Sequence, residues 1–147
     1  MSRAKVVVAG SLVAVVVLSA SVALAQPLSE QQWRKQANSV CKRVNKDLDK
    51  VGNELYAGLG KNEKPSAEQL KAFAFQFVPV VEGAVTEIDA LAEPGVVKKD
   101  VKKFLSAVSE AAASIEADPS ILAGNADPFV KANKIAKKLG LKACAGG

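Results

Sequence analysis

Histidine is absent from this 147-residue sequence, methionine occurs only at the initiator, and there are two cysteines and 5% aromatic residues. Without imidazole there is no Ser-His-Asp or Cys-His nucleophile machinery, no histidine proton relay and no histidine-containing zinc site. Two cysteines and an initiator methionine are also too few ligands for ordinary haem axial pairs or an iron–sulfur cluster. Neither a cofactor nor a metal is therefore expected. Beyond residue 25 no run of eighteen uncharged apolar residues occurs, so no second membrane-length segment is expected.

The first twenty-five residues differ from the rest. Arg3 and Lys5 precede an apolar run from Val6 to about Leu18, and small residues follow, ending in Ala23, Leu24 and Ala25. This is the layout of a secretory signal peptide cut between Ala25 and Gln26, with an uncleaved anchor as the alternative. Residues 1–25 are thus read as a leader and residues 26–147 as one domain. Such a domain is long enough to bury roughly two-thirds of its unfolded surface. Removing Arg3 and Lys5 leaves 18 Lys and Arg against 15 Asp and Glu, so the mature chain is only weakly basic.

From Ser29 onward apolar residues recur at helical spacing. Trp33, Ala37, Val40, Val44, Leu48, Val51 and Leu55 make one stripe, and Ser29 with Gln32 forms a capping-box start, predicting a first helix over about 29–57. Pro65 and Ser66 with Gln69 repeat the start signal ahead of Leu70, Phe73, Phe77, Val81, Ala84, Ile88 and Leu91. A third stripe runs through Val97, Val101, Phe104, Leu105, Val108, Ala112 and Ile115 and closes at Asp118 and Pro119. A short turn is expected around Ser120 to Ala123, then a last helix from Pro128, capped by Asp127 and stopped by Gly140. Four amphipathic segments with short links predict an all-α fold, an antiparallel four-helix bundle.

The segments "ANSVCKRVNKDL", "FVPVVEGAVTEIDALAEP" and "AKKLGLKAC" resemble small secreted helical proteins of actinobacteria, which carry one cysteine in the first helix and one at the C-terminus. The resemblance implies a secreted helical bundle with a Cys41–Cys144 link. That family has no established activity, so it supplies no site residues. Independently, Cys41 and Cys144 are the only cysteines of a chain read as exported, which favours a disulfide. An intermolecular bond and free thiols remain the alternatives.

Two further features are candidates for function. In "FAFQFVPVV", Phe73 and Phe77 keep the phase of the apolar stripe, whereas Phe75 points away from it and Pro79 removes the donor for the Phe75 carbonyl. A kink there could open an apolar pocket, expose Phe75 to a partner, or only curve the helix with Phe75 under the preceding loop. Lys98, Lys99, Lys102 and Lys103 form a basic arc on the third helix, which suits an anionic envelope surface. The plainer reading is a solvated face paired partly with Glu82, Glu87 and Asp89.

The arc has no interleaved aromatics, so nucleic acid is not an expected partner. Acidic pairs such as Asp47 with Glu54 imply no cleft, and Ser106, Ser109 and Ser114 have no evident base, so no enzyme is expected. The expectation is a secreted or cell-envelope helical bundle with a non-catalytic binding or structural role and no identified partner. Its rival is a carrier holding a small apolar ligand near Pro79.

Overall fold

The computed structural model describes residues 28–60 and 63–146; the leader expected over residues 1–25 lies outside them. The described residues form four α-helices, α1 (Glu30–Tyr56), α2 (Ala67–Asp89), α3 (Lys98–Ala117) and α4 (Val130–Leu139). Two 3-10 turns, Pro119–Ala123 and Lys142–Cys144, complete a helical bundle-like fold, and no strand occurs among the described residues.

Local chemistry sets the helix ends. Ser29 Oγ accepts the Gln32 N–H at 3.2 Å while Gln32 Oε1 accepts the Ser29 N–H at 3.1 Å, a closed capping box. Ser66 and Gln69 do the same for α2 at 3.2 and 2.8 Å. Helix α4 begins two residues later than Pro128, because Asp127 Oδ1 accepts the Phe129 N–H at 2.8 Å and holds Pro128 and Phe129 in a turn. Gly140 ends α4 with φ of +72°, a left-handed conformation that a side chain resists.

Pro79 lies inside an unbroken α2. Both Pro79 and Phe75 are exposed, so the carbonyl that loses its donor is on the solvent side, where water can satisfy it. The apolar face of α2 is left intact on the other side.

The core divides into two clusters. One joins Trp33, Ala37, Val40 and Cys41 of α1 to Ala84 and Ile88, to Val101, Phe104, Leu105 and Ala107, and to α4 and the tail. The other joins Ala74, Phe77, Val78 and Val81 of α2 to Ala112 and Ile115 of α3. Val108 and Phe129 are half-buried and pack against both. A single contiguous core is the usual arrangement for a domain of this size, so the seam between the clusters is informative.

Polar ties are peripheral. The Leu28 N–H donates to the Ala92 carbonyl at 3.0 Å, Arg43 pairs with Glu87 across α1 and α2, and Lys131 pairs with Glu110 across α4 and α3. The two ion pairs are exposed, so solvent screens them and each contributes little. Glu110 accepts from Lys131 Nζ at 2.8 Å and from Ser106 Oγ at 2.9 Å.

The Lys131 hydrogen bond first, then that from Ser106 and the Lys131 charge, hold the Glu110 carboxyl below the usual glutamate range. A depressed folded pKa stabilises the fold above the unfolded value, and that contribution is lost as pH falls through the folded one. Carboxyl-detected NMR titration should therefore find Glu110 protonating at lower pH than an unpaired glutamate. Lys131→Met should move it most of the way back, with Ser106 keeping a remainder.

Candidate functional site

The seam between the clusters encloses a cavity of about 390 Å³ walled by all four helices. Its apolar wall comes from Val44 and Leu48 of α1, Phe77, Val81, Ala84, Val85 and Ile88 of α2, Phe104, Leu105 and Val108 of α3, and Phe129 and Ala132. The space exists because small side chains face it where the four helices converge. Ala84 and Ala132 stop at Cβ, and the Cys41–Cys144 cystine forms the wall between α1 and the tail.

The cavity opens to solvent on one side. The opening is lined by Asn45, Asp127, Asn133 and Gly146, of which Asn45, Asp127 and Gly146 are exposed and Asn133 is half-buried. Among the described residues Asp127 is the only charged one in the lining.

The C-terminal tail forms one edge of this opening. Cys144 is bonded to Cys41 with their Cα atoms 5.1 Å apart and a separation of 103 positions in sequence. Two amides grip the tail beside the sulfur bridge. The Ala143 N–H donates to Asn38 Oδ1 at 2.9 Å, and Asn45 Nδ2 donates to the Ala143 carbonyl at 2.9 Å.

Asn38, Cys41 and Asn45 stand at helical spacings of three and four, so one face of α1 presents amide, sulfur and amide in a row. Sequence reading missed both asparagines, although polar residues at those offsets from a half-cystine were a readable signal. Leu141 and Ala145 anchor the tail from within, at 0% and 6% exposure. Gly146 has φ of +68°, and a Cβ on it would come within 3.1 Å of Asn133 Nδ2.

The other sequence candidates lie elsewhere. Of Phe73, Phe75, Phe77 and Pro79, only Phe77 lines the cavity. Phe73 stacks on Phe77 at 5.3 Å between ring centroids and lines a small surface depression between α1 and α2. Phe75 is 83% exposed and not covered by the preceding loop. With Pro79 it borders a second, smaller cleft of about 250 Å³ between α2 and the end of α3, bounded there by Glu116 and Pro119.

Lys98, Lys99, Lys102 and Lys103 are all exposed. Their acidic neighbours differ from those expected: Lys98 pairs with Glu93 at 3.7 Å and Lys103 with Asp100 at 3.6 Å, whereas Glu87 is taken by Arg43. Sequence proximity and a shared helix turn decide these pairs. No cluster of three His, Cys, Asp or Glu that could hold a metal occurs among the described residues, and none of their helices is long and apolar enough to cross a membrane.

Comparison with known proteins found no matching family model, no matching curated protein and no matching solved structure.

Proposed function

We propose that the protein is an exported, non-catalytic carrier of a small apolar ligand, built as an antiparallel four-helix bundle. The observation that carries this reading is the apolar cavity in the bundle interior. Its volume falls within the range of small-molecule sites, about 300–1,000 Å³. At interior packing density it accommodates on the order of fifteen non-hydrogen atoms.

Export is supported by the leader-like residues 1–25 and by the cystine, which persists in oxidising compartments. The antiparallel reading is supported by the hydrogen bond between Leu28, before α1, and Ala92, after α2, and by Leu55 of α1 lying beside Gln69 of α2. Absence of catalysis is the expectation that histidine-free composition and a lining with one charged residue among the described ones favour.

The test is binding of N-phenyl-1-naphthylamine, whose fluorescence rises in apolar surroundings, together with the melting temperature in its presence. Saturable binding with a raised melting temperature is expected, since a ligand bound only to the folded state stabilises it by mass action. Ala84→Phe should fill the cavity, abolish most of the binding, and leave stability unchanged or higher by about 0.5–2 kcal/mol. Equal binding by the filled variant would remove the cavity as the site.

A further inference from the structure

Resting on the carrier reading, we infer that the cavity selects a single-chain amphiphile whose head group donates hydrogen bonds and is neutral or cationic, such as a long-chain alcohol or amine, and rejects carboxylate heads. The selection comes from the opening. Behind it the wall is apolar, with Ile88, Phe104 and Ala132 at 2%, 3% and 2% exposure, so the chain of the ligand goes inward. At the opening stand Asn45, Asn133 and the carboxylate of Asp127, so the head group stays at the rim.

Asp127 already accepts the Phe129 N–H at 2.8 Å and Asn133 Nδ2 at 2.8 Å. An ionised carboxylate offers about four acceptor positions, so roughly two remain for a ligand donor. The start of α4 would by itself favour an anion, because unpaired backbone N–H groups carry partial positive charge there. In this chain the exposed Asp127 precedes that end, accepts the Phe129 N–H and is part of the lining, so a negative charge stands beside the opening and offsets the helix dipole. Lys131, the nearest cation in sequence, points its ammonium to Glu110 at 2.8 Å and is not part of the lining. A carboxylate head at the rim would place two like charges together, whereas a hydroxyl or ammonium would supply the missing donors.

The experiment displaces bound N-phenyl-1-naphthylamine from the full mature chain with 1-dodecanol, dodecylamine or dodecanoate at neutral pH and low salt. Dodecanol and dodecylamine should displace it at concentrations at least ~10-fold lower than dodecanoate. Asp127→Asn, which preserves shape and capping ability, should bring dodecanoate to within ~3-fold of dodecanol and weaken dodecylamine. Dodecanoate competing as well as dodecanol in the unaltered protein overturns the inference, as does an unchanged ranking in the variant. Probe binding that none of the three displaces also overturns it while leaving the carrier reading in place. Failure of the probe itself to bind removes the carrier reading and this inference together. The ranking in the unaltered protein stands as a test even if Asp127→Asn folds poorly.

Discussion

Replacing Cys144 with serine is expected to lower the melting temperature by roughly 10–20 °C and to weaken probe binding in the cavity. The bridge closes a loop of 103 residues, and the chain-entropy model assigns such a loop about 4–5 kcal/mol, with measured losses of about 2–5 kcal/mol for native disulfides. For a domain of this length each kcal/mol moves the transition by roughly 3–5 °C. The cystine also walls the cavity, so its loss loosens the tail at the opening. Thermal melts of the oxidised protein, the reduced protein and Cys41→Ser with Cys144→Ser should place the last two together, well below the first. A difference under about 3 °C would show that burial of Leu141 and the two asparagines hold the tail without the sulfur.

Trp33→Ala is expected to cost about 3–5 kcal/mol, the usual range for removing a large buried aromatic side chain. Trp33 is 0% exposed and belongs to the cluster that includes Ile88, Val101, Leu139 and Leu141. Its indole N–H has no acceptor among the described residues, and a buried unpaired donor costs about 1–3 kcal/mol. Trp33→Phe removes that donor along with part of the volume, so its net loss should be near 1 kcal/mol. Denaturant unfolding of the two variants separates the effects. Comparable losses for Phe and Ala would mean that the indole ring, and its N–H through a bound water, contributes more than the relief of an unpaired donor.

Much of the frame was legible because it depends on local chemistry. Ser29 with Gln32 and Ser66 with Gln69 both close the capping boxes that their spacing announced, and Gly140 takes the left-handed turn expected of it. The outward direction of Phe75 followed from its phase relative to Phe73 and Phe77, and it is 83% exposed.

The cavity was not legible in the same way. Periodicity says which face of a helix turns inward, but it does not say whether opposing side chains meet. Whether Ala84 and Ala132 face bulky partners or each other depends on the offset of one helix along another, which no single stripe encodes. For the same reason Pro79, a local irregularity, stands out in the sequence, while the larger cavity lies along the regular face of α2. The pairing of Cys41 with Cys144 was accessible from cysteine count alone, whereas the amides of Asn38 and Asn45 needed the tail's path to acquire a meaning.

Those two amides also bear on the bridge itself. They hold both backbone groups of Ala143, and Leu141 fills its place in the core, by contacts that do not involve sulfur. These contacts favour the approach of the two thiols and so raise their effective concentration for oxidation. With two cysteines only one intramolecular pairing is available, so no reshuffling step is required. Polar grip and sulfur bridge thus act on the same few residues of the tail, the amides selecting its position and the covalent bond making that position permanent.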